Sequence, residues 1–266
     1  MTTKSSSLRP GLAVAVLSLL PPVASAFQPL VTDDTGTQGA GGNQVEAAYN
    51  RTVDKSPGAR VVTHEVPLVF ARGVTDALDL YAGLGYQRIV PTTPAMVERG
   101  WGNPVLGVKW RFYENEASKL GFAVKPEIQL PVSADREARG LGTARASYSV
   151  NLLMTQETGF GAVHANVVAE RVNYSDDALN SAERRDLYRL SVAPVWNVAE
   201  GWKLALDAGI TTNPDRAARA HMGYVELGAI YSPGKDLDLA LGIVRNVWDG
   251  NASTTQATLG LTWRFR

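Results

Sequence analysis

The chain has 266 residues, in which 26 lysines and arginines balance 26 aspartates and glutamates, and it contains no cysteine. Such a charge balance leaves no footprint for nucleic acid or another polyanion, and the absence of thiols removes disulfide and cysteine chemistry. Beyond Gly42 no linker rich in Pro, Ser or Gly divides the sequence, so a single domain is expected.

At the start, Lys4 and Arg9 precede an apolar run over residues 11–20, and the small triplet Ala24-Ser25-Ala26 comes after it. This is the layout of a secretory signal peptide cleaved after Ala26, because the apolar run is too short to span hydrocarbon and Pro21 and Pro22 break any longer helix. Loss of Lys4 and Arg9 leaves a slightly acidic mature chain. Residues 27–43 are expected as a periplasmic N-terminal segment, and the sequence leaves open whether it acts as a plug or hangs free. Its stretch Gly36-Thr37-Gln38-Gly39-Ala40-Gly41-Gly42 lacks the Lys-Ser/Thr of a phosphate loop and reads as a flexible lead into the first strand. Asp33-Asp34 lacks the further oxygen ligands that calcium requires.

From residue 44 onward the sequence alternates. Leu237, Leu239, Leu241 and Ile243 alternate with Asp238, Ala240 and Gly242, and Leu259, Leu261, Trp263 and Phe265 alternate with Thr258, Gly260, Thr262 and Arg264. Twelve such segments are expected as strands: 44–51, 61–70, 79–88, 104–113, 120–130, 144–155, 160–172, 186–197, 202–212, 221–231, 237–246 and 254–265. Their length suits a tilted membrane-spanning strand, which shows lipid only every second residue and so keeps mean hydropathy near zero. A soluble sandwich also alternates, so the choice rests on two further signals. Connections alternate between short ones, at 71–78, 114–119, 156–159, 198–201 and 232–236, and mostly longer ones, at 52–60, 89–103, 131–143, 173–185, 213–220 and 247–253. Aromatics cluster at strand ends: Phe70, Trp110, Phe112, Phe160, Trp196, Trp202, Tyr231, Trp263 and Phe265 lie beside the short turns, and Tyr86, Trp101, Tyr174, Tyr188 and Trp248 near the long loops. Both are signatures of an outer-membrane barrel whose short turns face the periplasm. The expected fold is therefore all-β, a transmembrane antiparallel up-and-down β-barrel of about twelve strands over residues 44–266. Pro67, Pro104, Pro126 and Pro194 have no place in a regular closed ladder and are expected at bulges.

By parity, the inward face carries Glu46, Glu65, Asp79, Lys109, Arg111, Lys125, Glu127, Arg145, Glu170, Arg189, Lys203, Asp207, Glu226, Asp238 and Arg264. A wide lumen solvates these groups, whereas a narrow one forces them into ion pairs. Arg88, Arg171 and Arg245 face outward near the long loops, where they can reach lipopolysaccharide phosphates or simply water. The histidines His64, His164 and His221 stand apart, at no metal-ligand spacing, and no serine stands two residues after any of them. That departs from the serine–histidine pair of outer-membrane phospholipases. No catalytic, cofactor or metal residue is assigned.

Two motifs carry a family resemblance. The segment Gln28-Pro29-Leu30-Val31-Thr32-Asp33-Asp34-Thr35-Gly36-Thr37-Gln38-Gly39 resembles the mature N-terminus of the outer-membrane proteins of the phenol meta-degradation pathway family. Gly73-Val74-Thr75-Asp76-Ala77-Leu78-Asp79-Leu80 is similar to that family's repeated hairpin. The resemblance implies a barrel transporter for aromatic or other hydrophobic compounds and carries over no binding residue. The expectation is a passive channel for small solutes in the outer membrane of a Gram-negative bacterium, among outer-membrane lipid and lipopolysaccharide. Its last strand resembles the recognition signal of the outer-membrane assembly machinery. The alternatives are a closed structural or surface-interaction barrel with an ion-paired lumen, and a lipid-modifying enzyme.

Overall fold

The computed structural model describes residues 28–92, 96–248 and 252–266, so the expected signal peptide at 1–26 lies outside the described residues. Among these, thirteen strands occur in chain order: β1 (Asn43–Ser56), β2 (Ala59–Thr75), β3 (Leu78–Pro91), β4 (Glu98–Trp101), β5 (Val105–Asn115), β6 (Leu120–Gln129), β7 (Ser147–Thr158), β8 (Gly161–Arg171), β9 (Asp186–Ala199), β10 (Trp202–Thr212), β11 (His221–Tyr231), β12 (Leu237–Val247) and β13 (Ser253–Phe265). Each pairs antiparallel with its neighbours, and β1 pairs with both β2 and β13, which closes the sheet. The ring has twelve strand positions, because β4 and β5 share one side of β3: Tyr86 registers with Trp101, and Gly83 with Val105. β4, which lies within the stretch 89–103 expected as a loop, thus continues β5 across an interruption at Gly102-Asn103-Pro104.

Alternation places bulk outside and polarity inside. On β11 Leu227 is 66% exposed on the outer face, while the next residue inward, Glu226, has no exposure at all. This inverts a soluble protein and fits a surrounding hydrocarbon layer, since a water-soluble shell of Leu190, Leu227, Leu241, Ile243 and Leu259 would leave a large apolar area in water. No helix among the described residues is long and apolar enough to cross a membrane. The aromatics beside the short turns form ring pairs on the outer face, Trp202 with Tyr231 at 4.7 Å and Trp263 with Phe265 at 4.6 Å between centroids.

One expectation about the connections changes, and one detail is added. The loop expected over 52–60 is a hairpin that extends β1 and β2 to a two-residue turn at Pro57-Gly58. The long loops after β6 and β8 contain short helices, α1 (Ala134–Ala138) and α2 (Asp177–Ala182). The prolines are absorbed without bulges. Pro67, Pro126 and Pro194 each keep register on one side, with Gly85, Val150 and Val163, while pairing on the other side lapses for two residues. A residue without an N–H can serve one neighbour's ladder only.

Candidate functional site

Residues 28–42, which the sequence placed on the periplasmic side without deciding between plug and free tail, run around the inside of the barrel. Leu30, Val31 and Thr32 are almost wholly buried. The physical reason lies in the wall they meet, which offers acceptors to the segment's otherwise unpaired N–H groups. Val31 N–H donates to Glu226 Oε2 at 3.1 Å, and Thr32 N–H donates to Asp207 Oδ2 at 2.7 Å. The Thr32 hydroxyl donates to Asp207 Oδ1 and lies against the Ser191 hydroxyl, which is free to donate to it, both at 2.8 Å, and Tyr224 adds a third bond to Asp207 at 3.0 Å. Apolar contacts flank these bonds. Val31 packs with Met222, Tyr224 and Val244, and Leu30 with Ala193, Val195 and Ala205. Gly242 makes the room, since a Cβ there would come within 2.8 Å of Pro29 Cβ.

Further along, Asp33 binds Lys125 at 2.9 Å and Lys109 at 3.2 Å, and Asp34 also binds Lys109 at 3.2 Å. The acid pair is therefore neutralised by two wall lysines. With its amide turned to satisfy both partners, Asn166 donates to the Asp33 carbonyl at 2.9 Å and accepts its N–H at 2.7 Å. Thr35 N–H donates to Thr155 Oγ1 at 3.0 Å, which lies 3.0 Å from His164 Nδ1. His164 thus supports the segment from the lumen side, away from the lipid-facing surface on which a lipid-modifying enzyme would work.

The segment leaves through the second motif. Gln38 N–H donates to both oxygens of Asp79, at 3.1 and 3.0 Å, and Ala40 N–H donates to Asp76 Oδ1 at 3.0 Å. Gly41 N–H donates to the Gly73 carbonyl at 2.9 Å. A Cβ on Gly73 would fall 1.8 Å from the Gly39 carbonyl, so only glycine allows this approach. The glycine-rich stretch is therefore docked rather than a loose lead, and the two sequence motifs are the two halves of one contact.

The remaining inward charges fall into separate groups. Near the short turns, Arg264 binds Asp238 at 2.7 Å and the Gln44 amide oxygen at 3.1 Å, with buried Glu46 close by, and Arg111 binds Glu114 at 3.2 Å. Toward the long loops, Glu65 accepts from Asn50 at 3.4 Å, Glu127 from Ser149 at 3.0 Å and Glu170 from Gln129 at 3.3 Å. Arg189 is buried on β9, and Lys203 is half-buried on β10. Arg145 is the exception: it is exposed in the loop before β7, because that strand starts at Ser147 rather than at 144. Neutral wall residues that sequence reasoning missed, Ser191, Tyr224, Asn166 and Thr155, share the inward parity of the charged ones, and that parity was the signal available.

At the other rim the loop carrying α1 folds inward. Leu141 has no exposure and packs on Val61 and Ile89 of the wall. Asn103 fixes the loop by accepting from Thr143 N–H at 2.8 Å and donating to the Leu130 and Thr143 carbonyls at 2.7 and 2.8 Å. Glu137 ties it to the α2 loop, accepting from the N–H groups of Ala144, Ser175 and Asp176 at 2.6, 3.0 and 2.9 Å. Between the plug and the short-turn rim lies a cavity of about 600 Å³, whose lining includes Asp34, Asp79, Lys109, Lys125, Asp238 and Arg264.

A closed barrel of twelve strand positions with a polar, partly filled lumen defines the class. The chain belongs to the family described as "Putative MetA-pathway of phenol degradation", whose family model matches residues 26–265. Its fold is similar to that of the COG4313 outer membrane channel from Pseudomonas putida F1, with a TM-score of 0.72 at 18% identity over 87% of this chain and 98% of that one. It is also similar to the NanC porin, with a TM-score of 0.54 at 9% identity over 82% of this chain and 98% of that one. The KdgM porin in complex with disordered oligogalacturonate gives a TM-score of 0.52 at 8% identity over 83% of this chain and 99% of that one. No curated protein matches the sequence.

Proposed function

We propose that the protein is a passive outer-membrane channel for small solutes, with residues 28–42 setting the width of its lumen. The observation that carries this reading is the space left beside the plug, a cavity of about 600 Å³ walled by charges of both signs. Such a wall holds water and favours neither anions nor cations strongly. The volume suits a solute of one or two rings, within the range of small-molecule sites, and family membership together with the fold shared with outer-membrane channels supports aromatic compounds as the candidate class. In this reading residues 1–26 are removed after export, the assembly machinery inserts the barrel, the short turns face the periplasm and no step is catalysed.

A second reading, a closed barrel that acts through its outer loops, has its own supporting observation. Lys109, Lys125 and Arg264 are paired with carboxylates, and apolar clusters surround Leu30 and Val31 inside the lumen. Planar-bilayer recording of the refolded mature chain, beside a variant lacking residues 28–42, separates the two. Steady conductance of the mature chain, rising in the truncated variant, is the expected result. Conductance in the truncated variant alone would establish the closed barrel, and silence from both would overturn the channel.

A further inference from the structure

Four basic side chains stand in one row across the outside of the barrel. Arg51 of β1 registers with His64 of β2, His64 with Arg88 of β3, and Arg88 with Arg99 of β4. All four have outward parity, and the three arginines are exposed. The row crosses three strand spacings, roughly 14 Å in all. Tyr49 is on the same face, with its hydroxyl 2.6 Å from His64 Nδ1, and it holds that ring in place.

The height of the row is informative. One pair position nearer the barrel centre, Val66, Tyr86 and Trp101 register together, and the Tyr86 and Trp101 rings meet edge to face at 5.3 Å between centroids. Below them come Leu68 and Leu84. Arg88 is ten residues along β3 from Leu78, which registers with Trp110 of the lower aromatic belt. Ten residues of strand tilted near 45° rise about 23 Å, close to the height of the apolar band of such barrels. The guanidiniums therefore stand where hydrocarbon gives way to headgroups, directly above the upper aromatics.

The strands that carry the row supply no counter-charge. No carboxylate among the described residues of these four strands has outward parity: Asp54 turns inward to Thr254, and Glu98 turns inward to Arg139. The outward arginines near the long loops on other strands differ. Arg171 is paired with Asp186 at 2.6 Å, and Arg245 registers with the uncharged Val225 and Thr255. Scattered snorkelling would not gather cations on adjacent strands, where mutual repulsion disfavours them, unless an anion sits among them.

We propose that the outer face of β1–β4 at the long-loop rim is a binding site for the phosphorylated headgroup of lipopolysaccharide. Three guanidiniums offer paired N–H donors suited to phosphate oxygens, and the width of the row matches a headgroup that carries two phosphates. The aromatics and leucines beneath receive its acyl chains. The site rests on the outer-membrane reading and is independent of transport.

The test uses refolded full-length mature protein in detergent micelles doped with hexa-acylated lipid A bisphosphate, with retained lipid measured by native mass spectrometry. Parallel arms use dephosphorylated lipid A, phosphatidylglycerol and inorganic phosphate. Wild type is expected to retain the bisphosphate and to lose it on dephosphorylation. The triple variant Arg51→Gln, Arg88→Gln, Arg99→Gln is expected to bind at least tenfold more weakly, each lost charged contact accounting for roughly a tenfold factor. The triple Arg→Lys variant should fall between them, and Arg171→Gln should bind like wild type. Heat-modifiable migration reports folding, and if the triple variant fails to fold, Arg88→Gln alone carries the comparison. Undiminished binding by the glutamine variants overturns the proposal, as does equal retention of phosphatidylglycerol or equal displacement by inorganic phosphate.

Discussion

Thr32 and Asp207 meet through two hydrogen bonds, N–H to Oδ2 at 2.7 Å and hydroxyl to Oδ1 at 2.8 Å, at a point where neither residue has any solvent exposure. A carboxylate can accept both at once because it has only acceptors to offer. In Asp207→Asn one oxygen is replaced by an NH2 group that opposes the Thr32 donors, at a cost of about 1–3 kcal/mol to plug docking. The expected outcome is faster proteolysis of residues 28–42 and larger, noisier conductance in bilayer recordings. Unchanged proteolysis would show that the segment is held elsewhere.

Leu30 is 2% exposed against Ala193, Val195 and Ala205. Leu30→Ala leaves a void inside the lumen and should weaken docking by about 2–5 kcal/mol, the range for truncating a buried leucine. Hydrogen exchange of the Val31 and Thr32 amides should quicken, while the barrel strands keep their protection.

Glu137 offers a pH dependence with a defined sign. Burial pushes its carboxyl up, but the N–H groups of Ala144, Ser175 and Asp176 and the Ser175 hydroxyl outweigh this and hold it below its ordinary value of 4.5. Because the folded value is the lower one, the clamp between the α1 and α2 loops is at full strength above the ordinary value and is lost as pH falls through the folded one. Glu137→Gln should release both loops at neutral pH, read as faster exchange of the Ala144 and Ser175 amides. Wild type should come to match it only in acid.

Leu227 tests the lipid-facing surface. It lies mid-strand on β11, registers with Leu206 and Ile243, and is 66% exposed. Leu227→Arg should destabilise the membrane-inserted barrel by about 2–4 kcal/mol, measured by urea titration in lipid vesicles. A charge-neutral response there would contradict burial in hydrocarbon.

The strands were legible because period-two alternation is a local property: every residue of 237–246 announces its own face. The loops that fold back were not. Leu141 looks like any loop leucine until Val61 and Ile89 are known to lie beneath it, and Glu137 looks like a surface acid until the α2 loop and Ala144 bring it four donors. The inward charges could be placed by parity, yet their pairing could not, since Lys109 and Lys125 find their partners on a segment that carries no periodicity. Arg145 was misplaced because the alternation near β7 runs on into the loop before it. The outward row of arginines was half visible: Arg88 stood out alone, but its neighbours appear only once cross-strand register is fixed.

The plug binds partners far along the chain, with Val31 and Glu226 separated by 195 positions. Its berth on β9 to β12 does not exist until those late strands have joined the wall, so a stretch made ahead of every strand is among the last to find its place. Contacts of such span form slowly because chain entropy must be given up first. Closing the ring and seating the plug thus draw on different contacts, β1 with β13 for the one and β9 to β12 for the other, and a ring whose plug is not seated has a wider bore than the finished protein.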